Sequence, residues 1–313
     1  MMRTIYTPRL LRTSDVVDSW WEALAPAGFT PARSAESADL TLFTECHLLG
    51  DRPMLPLIAR HPAWRSAPGR VFVYDERDEP VGHLPGAYVS LPSRLHRRMH
   101  LAAPYFRIPT NAAPSELSEP SWLFSFVGSR SHPVRDAVLS IQHGRALIED
   151  TTGFVFFDAS QPDFAERRAR FAGVVGDSKF VLCPRGRGTS SIRMYETLAQ
   201  GRVPVVIADD WMPPFGLPWS DFIVRVREDQ VHALPAMLAE MEHRWEEMAQ
   251  AAARSFADFL SPPSSLPRIV GTLLDRRPCS PVAMPGRHLS AEVRWGARRA
   301  RSLAGRIKSS VQR

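Results

Sequence analysis

The sequence has few cysteines and no long apolar run. Its 313 residues include only three cysteines, Cys46, Cys183 and Cys279. Their odd number and wide spacing argue against a disulfide framework and against a CxxC metal site. No apolar stretch approaches the roughly 18 residues of a membrane span, and the N-terminal residues lack the apolar core of a signal peptide. These absences predict a cytoplasmic protein.

Lysine and asparagine are scarce as well. Only Lys179 and Lys308 occur beside 37 arginines, and Asn111 is the sole asparagine. This bias indicates a GC-rich, bacterial genome, so an arginine by itself is weak evidence of a functional guanidinium. An apolar fraction of 44% and a charged fraction of 23% are typical of a globular chain, which excludes disorder of the whole chain. The length predicts about two domains.

The net charge of +6 is concentrated at the C-terminus. The segment 276–313 holds ten basic residues and one acidic residue, a charge of +9, so the rest of the chain carries −3. A nucleic-acid-binding domain needs basic charge on its folded surface. The charge distribution therefore predicts no nucleic-acid partner.

Short apolar runs alternate with helical patterns, which predicts an α/β chain. The proline-rich segment 102–120 separates a first domain at 1–115 from a second at 116–276, and 277–313 forms a basic tail. Helices are predicted at 14–24, 53–60, 133–143, 163–174, 190–200, 231–257 and 266–276. Strands are predicted at 40–43, 71–74, 122–127, 153–157, 179–183 and 203–207. The last helix is expected to cross back to the first domain.

A glycine-rich turn joins the strand at 179–183 to the helix at 190–200. Gly186 and Gly188 allow the backbone to approach a ligand closely, and hydroxyl residues follow at 189–191. Free backbone N–H groups and the dipole at a helix N-terminus favour anions. Because ligands bind at the carboxyl ends of parallel strands, this turn is a candidate diphosphate site. The alternative is an ordinary helix cap.

Charged side chains surround this turn. Arg185, Arg187 and Arg193 have the planar geometry that binds phosphate in bidentate fashion. Arg193 and Glu196 share one helix face, where the carboxylate is suited to a ribose diol or to a surface ion pair. The Asp209-Asp210 pair after the next strand is either a cation ligand or, more commonly, a turn cap.

The segment 180–215 resembles the exostosin family of glycosyltransferases. The resemblance covers roughly residues 120–260 and includes the strand before Gly128, Ser129 and Arg130. The matching residues are Leu182-Cys183-Pro184-Arg185-Gly186, Ser190-Ser191, Arg193, Glu196, Gly201, Val203-Pro204-Val205, Asp209-Asp210-Trp211 and Pro214-Phe215. The resemblance implies a GT-B-like fold, in which two Rossmann-like domains with parallel sheets face a cleft.

The resemblance also implies inverting transfer from a nucleotide sugar, a UDP-sugar by family default, with no cofactor or metal required. The implied donor-site residues are Gly128, Arg130, Arg185, Gly186, Ser190, Ser191, Arg193, Glu196, Asp209 and Asp210. Arg130, Arg185 and Arg193 would hold the diphosphate and stabilise the growing charge of the leaving group. Glu196 would bind the ribose, and the two aspartates would shape the donor pocket.

An inverting enzyme needs a general base, which in a two-domain cleft comes from the first domain. The candidates follow the first two clear strands. Glu45 is the first choice and Asp75 the second, with His47, Glu76 and Asp78 as alternatives.

The tail from 292 onward has apolar residues at helical spacing among arginines, the pattern of a basic amphipathic helix on an anionic membrane. A solvated tail or a helix docked on a partner gives the same pattern. The expected partners are a nucleotide sugar, a glycan or lipid-linked acceptor and the inner membrane face. The expected setting is bacterial surface-polysaccharide assembly. A non-catalytic sugar-binding relative and a membrane-tethered scaffold are the alternatives.

Overall fold

A computed structural model describes residues 3–10, 15–46, 57–58, 60–80, 82, 84–108, 119–154 and 158–276. The first sheet is formed by β1 (Arg3–Tyr6), β2 (Phe29–Pro31), β3 (Leu40–Phe43), β4 (Val71–Asp75), β5 (Gly86–Tyr88) and β6 (His100–Ala102). Its strands lie in the order β2-β1-β3-β4-β5-β6, and every pairing is parallel.

The second sheet is formed by β7 (Trp122–Gly128), β8 (Ala146–Asp150), β9 (Ser178–Pro184), β10 (Val203–Ile207) and β11 (Val224–Val226). The order is β11-β10-β9-β7-β8, again with parallel pairing throughout. Two parallel sheets, each with connecting helices, confirm the predicted α/β, GT-B-like architecture.

Eight α-helices connect or cover these strands within the described residues. They are α1 (Val16–Leu24), α2 (Ala63–Ser66), α3 (Pro133–Leu139), α4 (Phe164–Gly176), α5 (Ile192–Ala199), α6 (Leu234–Met241), α7 (Trp245–Ser255) and α8 (Pro262–Asp275). In this part of the chain, no helix has both the length and the apolar character required to cross a membrane.

The unit β9–turn–α5–β10 forms where the sequence predicts it. Gly201, at a φ of 63°, ends the helix in the left-handed conformation that glycine favours. Met194, Tyr195 and Leu198 face the core. The opposite face, carrying Glu196, is buried too, so the surface ion pair considered as an alternative does not exist there.

Helix α8 crosses back to the first domain, as expected. Its buried side chains recur at helical spacing, and they are Leu266, Ile269, Val270 and Leu273. They pack in one apolar cluster with Trp20 and Leu24 of α1. The C-terminal helix therefore ties the two sheets into one molecule.

Several predicted elements differ. The stretch 231–257 is not one α-helix. A 3₁₀ turn precedes α6, whose first turn contains Pro235, and a second 3₁₀ turn at Glu242–Arg244 separates α6 from α7. The strands that were not predicted are β1, β2, β5, β6, β8 and β11. The predicted strand at 153–157 ends in residues 155–157, which lie outside the described part. Most of the 53–60 helix, the linker residues 109–118, and His47, Asn111 and the tail from 277 also lie outside it.

Candidate functional site

The carboxyl edges of the two sheets face each other across the turn at 185–191. A Cβ built on Gly188 would lie 2.7 Å from Ser90 Oγ and 2.9 Å from Asp78 Oδ1. The lack of a side chain at Gly188 therefore allows the turn to pack against the first domain. The prediction from the sequence was instead that this glycine allows the backbone to approach a ligand. A Cβ on Gly186 would lie 3.2 Å from Arg135 Nη2, so this glycine makes room for a guanidinium.

Hydrogen bonds fix this contact between the domains. Thr189 Oγ1 donates to the carbonyl of Ser90 at 3.1 Å, and the Tyr105 hydroxyl donates to the carbonyl of Ser190 at 3.3 Å. The rings of Tyr105 and Tyr195 meet edge to face, with centroids 5.7 Å apart. The predicted phosphate turn is thus held in place from the first domain.

Arg193 is the most unusual side chain at the turn. It is only 9% exposed, its Nη2 donates to the Val127 carbonyl at 2.6 Å, and its guanidinium stacks on Phe126 at 4.7 Å. Its Nε and Nη1 are buried and have no hydrogen-bond partner among the described residues. Burial lowers the pKa of Arg193. The chain therefore buries a guanidinium of which two of the three nitrogens have no hydrogen-bond partner among the described residues.

Gly128 makes this position of Arg193 possible. A Cβ there would lie 2.6 Å from Arg193 Nη2 and 2.9 Å from the Phe126 ring. The strand end at Gly128 therefore accommodates the guanidinium only because it carries no side chain.

Arg135, from α3, is a second guanidinium beside the first. It donates to the carbonyls of Arg185 at 3.0 Å, Ser129 at 3.1 Å and Pro184 at 3.3 Å. No carboxylate lies within 4.0 Å of it in the described part of the chain. Burial, and then the charge of Arg193, lower the pKa of Arg135 to about 9. The site predicted from the sequence did not include Arg135.

Glu196 lies on the same helix, one turn beyond Arg193. It is 5% exposed, and burial raises its pKa to about 7, against the opposing charges of Arg193 and Arg168. No ion pair to its carboxylate lies within 4.0 Å among the described residues. At neutral pH this group both accepts and donates hydrogen bonds, which suits a diol.

The hydroxyl residues of the turn are also available. The Oγ of Ser190 is buried and has no hydrogen-bond partner in the described structure. Ser191 is the N-cap of α5, but its side chain makes no capping hydrogen bond. Neither hydroxyl is therefore used to cap α5.

The other predicted phosphate-binding arginines have partners. Arg130 is about half exposed and pairs with Asp150 at 2.7 Å and Asp136 at 2.9 Å. Arg185 Nη2 donates to the Arg187 carbonyl at 3.2 Å, and its Nη1 lies 3.8 Å from Glu228. Arg185 therefore stabilises the turn itself, and Arg130 is bound to two carboxylates.

The two aspartates after β10 have structural partners as well. Asp209 Oδ1 accepts from the Glu228 amide at 3.0 Å. Asp210 reaches the first domain, where it accepts from Ser93 Oγ at 2.8 Å and pairs with Arg94. Asp209 is thus a cap and Asp210 an interdomain link, and their part in shaping the donor pocket stays a prediction. Within the described ranges, no cluster of three or more potential metal ligands occurs.

Both preferred general bases are buried. Glu45 is 0% exposed and accepts from the Leu10 amide. Asp75 is 1% exposed and holds Arg77 by two hydrogen bonds, 2.8 Å to Nε and 2.5 Å to Nη2. Since neither carboxylate reaches the cleft, the structure argues against both as bases.

Comparison with known proteins finds one family domain within this chain. Residues 89–241 match the Exostosin GT47 domain. An "Exostosin-1 homolog" of Caenorhabditis elegans is 34% identical over 93 residues, 29% of this chain and 24% of that protein. A "Probable glycosyltransferase" of Arabidopsis thaliana is 32% identical over 133 residues, 42% of this chain and 24% of that protein. A "Probable glucuronosyltransferase" of Oryza sativa subsp. japonica is 41% identical over 64 residues, 20% and 15% respectively.

The chain thus matches about a quarter or less of the length of these relatives. Among solved structures, a glycosyltransferase from Rickettsia africae superposes with a TM-score of 0.38 at 12% identity, over 88% of this chain and 99% of that one. A UDP-N-acetylglucosamine 2-epimerase gives 0.37 at 10% identity, over 89% and 98%. The architecture described above rests on the two parallel sheets themselves.

Proposed function

Because its domain at residues 89–241 makes this chain a member of the exostosin family of glycosyltransferases, we propose that it transfers a sugar from a nucleotide-sugar donor to a glycan or glycolipid acceptor. The reaction inverts the configuration of the anomeric carbon. The donor binds at the turn 185–191 and the acceptor enters from the first domain. The rice relative's printed name suggests glucuronic acid as the first donor sugar to test, carried on UDP.

One observation carries this proposal, the buried and incompletely bonded Arg193. An uncompensated buried cation is costly, and Arg135 beside it has no carboxylate partner among the described residues. An anion that accepted hydrogen bonds from Arg193 Nε and Nη1 would remove this cost. A diphosphate has the charge and the oxygen geometry that two guanidinium groups bind best.

The positions of the other residues at the turn indicate their roles in donor binding. Ser190 and Ser191 offer hydroxyls to the same phosphate oxygens, and Gly128 and Gly186 leave room for the two guanidinium groups. Glu196 binds the ribose hydroxyls. Fixed positive charge at the leaving diphosphate lowers the barrier, because it stabilises charge that grows in the transition state.

The basic tail supports a proposal for the biological setting. The basic tail at 277–313 would hold the enzyme at the inner face of a bacterial membrane, next to a lipid-linked acceptor in surface-polysaccharide assembly. The tail lies outside the described residues, so this part rests on the sequence pattern.

The donor site is tested by thermal unfolding with UDP, UDP-glucuronic acid and GDP. A ligand at 100 times its Kd stabilises the folded wild type by about 2.7 kcal/mol. Arg193→Met replaces a buried, unpaired charge with an apolar chain of similar length, so it should fold at least as well as the wild type. We expect this variant to lose most of the nucleotide-induced shift in Tm.

The matched control is Arg170→Met. Arg170 is an exposed arginine of the same domain, paired with Glu149, and its loss should leave the shift unchanged. An equal shift in Arg193→Met and the wild type, or no shift of the wild type with any of these nucleotides, would contradict the proposed donor site.

A further inference from the structure

The four acidic residues considered above as general bases lie at or just beyond the ends of β3 and β4, at the carboxyl edge of the first sheet. Glu45 and Asp75 are buried and bound as described above. Glu76 is 8% exposed and accepts from the Tyr74 hydroxyl at 3.1 Å and from the backbone amides of 106 and 107. It therefore anchors the chain that leaves β6. These three carboxylates are committed to the fold of the first domain.

Asp78 is the exception. It is exposed, and its carboxylate has no hydrogen-bond partner among the described residues. It is also the acid that meets the second domain, since its Oδ1 lies 2.9 Å from the position of a Cβ on Gly188. Ser90 and Tyr105, which hold the turn, lie beside it.

Charged groups from both domains act on Asp78. Surrounding protein raises its pKa although the side chain is open to water, as expected at the mouth of a cleft. Arg187 and Arg135 of the second domain lower the pKa, and Glu79 on its own loop raises it. Tyr105 is the other titratable group near it, and its own pKa is raised by burial and by Asp78.

We propose that Asp78 is the general base of sugar transfer, an inference that rests on the proposed function. Its carboxylate takes the proton of the acceptor hydroxyl as that oxygen bonds to the anomeric carbon of the donor. The bond from the anomeric carbon to the phosphate oxygen breaks, and its electron pair leaves with the nucleoside diphosphate. Arg135 and Arg193 receive that charge. The step requires only the donor, the acceptor hydroxyl and the Asp78 carboxylate, with no other reactant.

The test compares Asp78→Asn with the wild type in two reactions of UDP-glucuronic acid. The first uses p-nitrophenyl glycosides as hydroxyl acceptors. The second uses azide, an anionic nucleophile that has no proton to lose and needs no base. We expect Asp78→Asn to slow transfer to hydroxyls by about 100-fold or more, the usual contribution of a general base. Azide should react at the wild-type rate, and the UDP-induced shift in Tm should be unchanged.

The pH profile gives a second readout. The wild-type kcat/KM for hydroxyl acceptors should fall as the pH drops through the raised pKa of Asp78, because the base must be ionised. Asp78→Glu should restore part of the rate lost in Asp78→Asn. Glu79→Gln is the matched control: it should keep the wild-type rate at pH values where Asp78 is ionised, and it should move the fall in rate to lower pH, because Glu79 raises the pKa of Asp78.

Three outcomes overturn the inference and are distinguishable. Transfer to hydroxyls at the wild-type rate in Asp78→Asn removes Asp78 as the base but leaves the proposed function standing. Loss of the UDP shift in Asp78→Asn shows a role in donor binding instead. A wild type that neither binds UDP nor releases it from UDP-glucuronic acid refutes the proposed function, and the base with it.

Discussion

Single residues decide whether a cation can be kept buried at the end of β7. Gly128 leaves the space that Arg193 Nη2 occupies, and the Phe126 ring lies against the same guanidinium. Cation–π contact and one hydrogen bond to Val127 offset part of the cost of burial. The remaining cost of burying the Arg193 guanidinium can be offset by a bound anion. The affinity for an anion and the local stability of the chain therefore depend on the same guanidinium atoms.

We expect Gly128→Ala to weaken nucleotide binding by displacing Arg193. The added Cβ would lie 2.6 Å from Nη2, and overpacking of this kind costs about 1–3 kcal/mol. The variant should unfold at lower Tm and show a smaller UDP-induced shift. Gly144→Ala is the control, because a Cβ there meets no atom within 4 Å. Equal UDP shifts in both variants would show that the position of Arg193 does not matter to the ligand.

Glu196 should make the stability of the ligand-free protein depend on pH. Its pKa is about 7 in the folded chain, whereas an unfolded glutamate titrates near about 4.3. Between these values the folded state binds more protons than the unfolded state, so stability falls as the pH rises through that interval. Glu196→Gln has no such proton, and we expect its stability relative to the wild type to increase from about pH 4 to about pH 7.

Urea unfolding of both proteins across that interval measures the effect. A difference between wild type and Glu196→Gln that stays constant with pH would mean that Glu196 titrates normally in the folded chain.

At the scale of elements, local signals predicted the strands that are buried over four or more consecutive residues and missed those that are short or partly exposed. The strand–turn–helix–strand unit from β9 to β10 was predictable, because its strands are continuous apolar runs and Gly201 marks the helix end. Strand β8 was not, since its sequence ALIED lies at the sheet edge with every residue at least partly exposed. Because an exposed edge strand need not be apolar, its sequence contains no apolar run that would predict it.

The residues of the candidate site also differ in how well local sequence predicts them. Arg193, Glu196 and Ser190 were predicted because they belong to one local motif with α5. Asp78 could not be ranked above Glu45 or Asp75, since all three follow strands of the first sheet. Asp78 is distinguished from the buried Glu45 and Asp75 only by its place beside Gly188, where the turn packs against the first domain. That contact joins residues far apart in the sequence, so no local pattern predicts it.

At the scale of the whole molecule, separate contacts hold the carboxyl edges together. The turn binds Ser90 and Tyr105, and α8 crosses back to α1 at the far end of the chain. A third contact joins Asp210 to Ser93 through both side chain and backbone, where Ser93 N donates to the Asp210 carbonyl at 3.0 Å. The arrangement is that of a closed cleft in which the domains already touch around the turn.

We expect Asp210→Ala to loosen this closure without unfolding either domain. It removes the hydrogen bond from Ser93 Oγ and the ion pair with Arg94, an exposed contact whose loss costs about 0–1 kcal/mol. The Ser93 amide should then exchange its hydrogen faster, because its bond to the second domain opens more often. Asp229→Ala is the control, since it breaks an exposed pair with Arg227 inside one domain.

Hydrogen exchange of the peptides around residue 93, with and without UDP, measures the closure. The interdomain link is supported if exchange rises in Asp210→Ala, stays at the wild-type rate in Asp229→Ala, and falls again when UDP binds. Rates that are equal in all three proteins would mean that Asp210 contributes nothing to domain closure, and that the turn and α8 alone hold the two sheets against each other. Because the Asp210 carboxylate is an acceptor from the second domain and Ser93 a donor from the first, the link can form only when the cleft is shut.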